Sequence, residues 1–220
     1  MRELATGVRH WQAPHPDRTP DDRWPREVSS YTVDDGTRLL LIDPLSVPPG
    51  LLARAADRQP VVVLTAPRHE RDTRNPVERL GAPVFTPPPD TADDLVRKFG
   101  VTREQAGDGS LDLAWLRTGT GGAGRLYAAG DRLPVGVEAF AGREHNDLVL
   151  WDGRVRAVIP GDTLVDFGQG LQINDWLRGG VTRAQVAERL RPLLALPVEI
   201  ALPAHGAPAD RAALERALSL

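Results

Sequence analysis

With 220 residues, 41% of them hydrophobic and 26% charged, the chain is long enough for one domain with a substantial core, 1–220. A net charge of -3, with scattered arginines and Lys98 the sole lysine, gives no electrostatic case for nucleic acid or an anionic membrane. There is no cysteine, which excludes disulfides and thiolate ligands; no run reaches membrane-spanning length and residues 1–11 do not read as a leader, so a cytoplasmic location is the default expectation.

Taken in chain order, residues 13–25 are rich in Pro and Asp and predict an irregular N-terminal arm. S-S-Y-T-V, D-D-G and T-R-L-L-L-I-D predict a hairpin whose second strand stops at Asp43-Pro44. A short helix is expected over 51–57 and a buried strand over the β-branched run 61–64. A helix over 76–80, stopped by Gly81, leads to a strand at 83–86. Residues 87–124 read as an insertion: three prolines, a polar helix over 92–99, a helix start at Thr102 with Gln105 as its reciprocal cap, then a Gly-rich stretch. That stretch, G-T-G-G-A-G, lacks the Lys-Ser/Thr and the preceding strand of a phosphate loop, so a hairpin loop is expected.

The second half predicts strands at 135–140, 148–151 and 155–159, with Asp152-Gly153 as a tight turn. Thr182 caps an amphipathic helix bearing Val186, Leu190, Leu193 and Leu194; a strand at 198–202 and a helix over 210–220 close the chain. Hairpins dominate, so a purely parallel doubly wound sheet fits poorly and an α+β fold, a four-layer αββα sandwich, fits better.

Chemistry-bearing residues stand where apolar runs end: V-V-V-L-T at 61–65 before R-H-E-R-D at 68–72, P-G-D-T-L at 160–164, and L-P-A-H-G at 202–206. With S-Y-T-V, L-L-L-I-D-P and G-R-E-H-N-D-L-V-L-W, these words in this order resemble the metallo-β-lactamase superfamily over nearly the whole chain. The resemblance implies an αββα sandwich and a metal site built on Thr-H-x-H-x-D-H, a Gly-His, a Gly-Asp and a final His before Gly. Aligned on Thr65 without gaps, Ala66, Arg68, Glu70 and Arg71 stand where H-x-H-x-D-H belongs, and Arg143 where the Gly-His imidazole belongs; Asp162 and His205 match. With one extra residue after Thr65, His69 takes the second His position, Asp72 the last, and His145 serves as the middle ligand.

Two functions follow as expectations. The first is a hydrolase similar to the glyoxalase II and lactonase branches, cleaving an ester, thioester or lactone. One divalent ion (zinc first, iron or manganese next) is then held by His69, His145, Asp162 and His205, with Asp72 and Asp162 catalytic. The second is a metal-free descendant in which Arg68, Arg71 and Arg143 face Asp162 and bind a small anionic ligand. Against these stand blander roles: Asp162 fixing a turn, His205 bonded to backbone, R-H-E-R-D a solvated helix start, E-H-N-D a polar loop, the arginines surface charge. His10 and His15 are expected in the arm, away from any site. A homodimer is left open, although no distinctive interface stripe supports self-association.

Overall fold

Side chains alternate across the apolar strands, and that alternation builds the layers. The computed structural model describes residues 1–118, 124–133 and 135–219. The first sheet has the order β1 (Arg2–Ala5), β2 (Val8–Pro14), β3 (Glu27–Asp34), β4 (Arg38–Ile42), β5 (Gln59–Val63), β6 (Val84–Thr86), β7 (Gly124–Leu126), antiparallel as far as β4 and parallel from β4 to β7. Along the chain follow β8 (Arg132–Leu133), β9 (Val137–Glu144), β10 (Asp147–Asp152) and β11 (Ala157–Gly161). A small ribbon of β12 (Leu164–Val165) and β13 (Gln172–Ile173) precedes β14 (Ile200–Pro203) and β15 (Ala209–Asp210). The second sheet has the order β15-β14-β11-β10-β9-β8.

Leu40, Ile42, Val61 and Val63 of the first sheet share one buried cluster with Leu148, Leu150, Ile159 and Leu202 of the second. Their neighbours point outward. Leu39, Leu41, Val62 and Leu64 meet Leu51 and Leu52 of α1 (Pro49–Ala56) and Val77 of α2 (Arg74–Leu80). Between β6 and β7 lie α3 (Ala92–Phe99), α4 (Arg103–Ala106) and α5 (Ala114–Thr118). On the second sheet, Val149, Trp151, Val158 and Ala201 meet Val186 and Leu190 of α6 (Arg183–Leu190) and Leu214 of α7 (Arg211–Leu218). Burial of each such side chain contributes about 1.5–3 kcal/mol, so two-sided alternation is what closes four layers. The chain is an αββα sandwich, as the sequence predicts.

Local signals hold as well. Thr102 and Thr182 each form a reciprocal cap with a glutamine three residues on, and Gly81 ends α2 with φ 64. The N-terminus departs from expectation: β1 and β2 form a hairpin that continues the first sheet, and only the stretch after Pro14 runs without strand or helix until β3. Most of the Gly-rich stretch, 119–123, lies outside the described residues. Among the described residues no helix is long and apolar enough to cross a membrane.

Two parallel strand pairs, β4–β5 and β11–β14, place four strand ends on one edge of the sandwich. The residues that follow are Asp43, Thr65, Asp162 and His205. Gly161, at φ 54, makes the approach possible: a Cβ there would lie 2.5 Å from Thr65 Oγ1. Gly161→Ala is expected to lower the melting temperature by several degrees, because strain and clash together exceed about 1–2 kcal/mol, checked by thermal denaturation.

Candidate functional site

Asp43 starts the site. Standing just past β4, with φ 44, it accepts hydrogen bonds from Thr65 N (2.9 Å) and Thr65 Oγ1 (2.6 Å) and lies 3.0 Å from His69 Nδ1. That contact turns the other ring nitrogen, Nε2, toward Asp162 Oδ1 at 3.3 Å. His69 ends a single 3-10 turn, Pro67–His69, and is 4% exposed. From the end of β14, His205 brings its Nε2 to 3.4 Å from the same Asp162 oxygen, with its ring edge-on to Trp24 and Phe167.

The other oxygen of Asp162 belongs to arginine. Oδ2 accepts from Arg68 Nη2 at 3.2 Å and from Arg143 Nη2 at 3.4 Å. Arg68 Nη2 also donates to Asp147 Oδ2 at 3.0 Å, and Arg143 Nε donates to that same atom. Arg143 Nη1 donates to the Trp176 carbonyl, so each of its three nitrogens has an acceptor. Arg71 differs: its Nη1 donates to the carbonyls of Ser29 (3.2 Å) and Asp43 (2.9 Å), and it sits at φ 42, a left-handed backbone that a non-glycine residue rarely adopts.

The sequence-derived residues are therefore only partly gathered. Arg68, His69, Arg71, Arg143, Asp162 and His205 converge. His145 does not: Glu144 pairs with Asp147 across the β9–β10 turn, so His145 stands at the hairpin tip, 43% exposed, with Nε2 3.6 Å from Asp94. Asp72 does not either. The chain reverses after Arg71, Asp72 N donates to the Pro44 carbonyl, and its Oδ2 accepts from Val47 N and Asn75 Nδ2 at 3.3 Å each. Neither the gapless nor the shifted alignment holds alone, because the local turn lets Arg68, His69 and Arg71 enter together.

Three contributors were missed. Asp43 and Asp147 are fixed counter-charges at strand ends, and His15, expected far away, lines the cavity beside Trp24 and His205. L-L-L-I-D-P and N-D-L-V-L-W carried the first two as acids beside apolar runs; nothing in the arm announced His15.

Electrostatics follow from this packing. Burial pushes the Asp162 carboxyl up, but the facing His69 and His205 rings and Arg68 outweigh it and hold it well below the usual carboxylate range. Burial lowers His69, yet Asp43 and Asp162 more than offset that, so its pKa is raised. His205 falls to about 4, mainly by burial, with Arg71 and His69 adding repulsion. His10, in β2, also falls to about 4, again mainly by burial.

Both depressed imidazoles are neutral in the folded state where the unfolded chain binds a proton. Their contribution is therefore present above pH 6.5 and lost as pH falls toward 4, at most about 3 kcal/mol for each displacement from 6.5 to about 4. His69, being raised, acts oppositely, losing its contribution as pH rises through its folded value. We expect the melting temperature to fall between pH 6.5 and 4.5, and His205→Asn to flatten that slope.

A metal ion would have to sit among His69 Nε2, Asp162 Oδ1 and His205 Nε2. Asp162 Oδ1 is buried and accepts no hydrogen bond, which would suit a ligand. The rest does not fit. Among the described residues, the three-residue group whose ligand atoms all lie within 4.8 Å of one another is Asp90, Asp94 and His145, not this one. Zinc with bonds of 2.0–2.1 Å allows only about 4.2 Å between two nitrogens. Two guanidiniums also touch the same carboxylate, and each repels a dication by about several kcal/mol at 4–5 Å even at an effective dielectric near 20. The Asp90–Asp94–His145 group is already neutralised by Lys98 on Asp90 (2.7 Å) and Arg97 on Asp94 (3.1 Å).

No family model matches the sequence, and no curated protein matches it. Solved structures do. A metallo-β-lactamase from Erythrobacter litoralis with β-mercaptoethanol in its active site has a TM-score of 0.65 at 14% identity, over 100% of this chain and 94% of that one. The di-iron-bound form of TTHA1623 has a TM-score of 0.57 at 23% identity, over 88% and 94%. The metallo-β-lactamase family protein TTHA1429 from Thermus thermophilus has a TM-score of 0.62 at 16% identity, over 98% and 78%.

Proposed function

From the premise that the chain has the metallo-β-lactamase fold, we propose that it binds a small anionic molecule through arginine and carries no tightly held metal. The observation that supports this best is the distribution of guanidinium partners. Arg68 and Arg143 neutralise Asp147 and Asp162, whereas Arg71 has no carboxylate within 4.0 Å among the described residues. Burial lowers the Arg71 guanidinium, and Asp43 and Asp162 offset that only in part, so an incoming anion supplies the carboxylate partner that this half-buried charge lacks. Arg143, with every nitrogen occupied, positions Asp147 and Asp162. Arg68 and Arg71 keep donors for a ligand.

A single-metal hydrolase of esters, thioesters or lactones is the second reading, favoured by the unpaired Asp162 Oδ1 between two imidazoles. Elemental analysis decides between them. We expect less than about 0.1 equivalent of zinc, iron or manganese in the purified protein, and no rise in melting temperature when these ions are added. One equivalent of metal, or a rise of several degrees, would overturn the metal-free reading.

A further inference from the structure

Two cavities, about 390 and 420 Å³, share His15, Asp17, Arg68 and Arg71. Arg68 spends only Nη2 on Asp147 and Asp162; on a side chain 37% exposed, its Nη1 and Nε have no acceptor among the described residues. Arg71 spends only Nη1, on two carbonyls. Its Nε is sealed and unpaired, while Nη2 has no acceptor and is not sealed. His15 accepts the Asp17 N–H at Nδ1 (3.2 Å), which leaves its proton on Nε2. The shared boundary thus carries donors from Arg68, Arg71 and His15, with Asp17 the one carboxylate among them.

The cavities differ in their far walls. The cavity of about 390 Å³ has Trp24, Phe99 and Trp176; the one of about 420 Å³ has Glu70 and Asp72. We propose that Arg68 and Arg71 form a seat for one carboxylate, and that the ligand is a compact aromatic monocarboxylic acid whose ring lies against Trp24, Phe99 and Trp176. This deepens the anion-binding reading and rests on it. Donor supply selects a monoanion: of the three arginines only Arg68 and Arg71 keep donors, while the Asp17, Asp90, Glu144 and Asp162 carboxylates line the same cavity and oppose further negative charge. A phosphate dianion would add a second negative charge among these carboxylates and meet Glu70 and Asp72 behind it. Guanidinium forks match a planar carboxylate, and aromatic walls suit an aromatic body.

The test uses the full chain and three probes in titration calorimetry: 3-phenylpropionate, 3-phenylpropanol and inorganic phosphate. Phenylpropionate should bind, with the alcohol and phosphate each at least tenfold weaker. Arg71→Gln should lose tenfold or more in phenylpropionate affinity and Trp24→Ala several-fold, at unchanged circular dichroism. Should Arg71→Gln not fold, Arg71→Lys, which keeps the charge and loses the fork, should weaken binding in the same direction. Phosphate binding as tightly as phenylpropionate overturns the aromatic monoacid while leaving the anion pocket standing. Equal binding of the alcohol overturns the carboxylate seat. Failure of both anions to bind at millimolar concentration overturns the anion-binding reading itself.

Discussion

Replacing Arg68 by histidine should create a zinc uptake that the metal-free reading denies to the parent protein. Asp147 and Asp162 share Arg68 Nη2, so its loss leaves two buried carboxylates with Arg143 as their one guanidinium. The cluster then loses one positive charge and gains an imidazole beside His69. The same step removes a repulsion of about several kcal/mol against any dication. A zinc ion at about a thousand times its dissociation constant stabilises by about 4 kcal/mol, near 10 °C for a domain of this size. Elemental analysis and melting curves with and without zinc read the result. We expect at least about half an equivalent in Arg68→His and almost none in the parent. Equal, low zinc in both would mean that ring spacing, not guanidinium charge, keeps ions out.

Asp162→Asn should be the most destabilising conservative change in the pocket. The carboxylate lies 3.2 Å from Arg68, 3.4 Å from Arg143, 3.3 Å from His69 and 3.4 Å from His205, and is 5% exposed. Neutralising it leaves two guanidiniums with too few buried counter-charges, a loss of about 3–5 kcal/mol. The melting temperature should drop by roughly 10 °C. Asp72→Asn, whose carboxylate accepts only from Val47 N and Asn75 from a half-buried position, should stay within about 1 kcal/mol. Adding Arg68→Met to Asp162→Asn should recover part of the loss, because it removes a charge that the first change strands. A drop no larger than that of Asp72→Asn would show the network to be energetically idle.

The layers were legible because V-V-V-L, L-V-L-W and R-L-L-L-I alternate between two apolar surfaces, which only a sandwich covers on both sides. The N-terminal hairpin was not: Arg9 and Gln12 interrupt its strand, and the buried His10 is held by Ser29 Oγ at 2.9 Å, a partner far along the chain. The pocket was half legible. Asp162 directly follows β11 and His205 stands two residues past β14, so the strand ends lift both into it. Whether Arg68 or His69 enters depends on one 3-10 turn, and the inward swing of Arg71 on its positive φ, neither of which leaves a trace in composition. His145 misled because a hairpin tip and a strand end read alike until the Glu144–Asp147 register is known.

Lys98 is the chain's only lysine, and its amine is bonded to Asp90 Oδ1 at 2.7 Å and Asn146 Oδ1 at 2.9 Å, with the side chain 3% exposed. An acylating reagent meeting the native fold therefore finds that lysine shielded. A succinimidyl fluorophore should label Lys98 only after denaturation, as one added copy per molecule. That stoichiometry makes unfolding countable by mass.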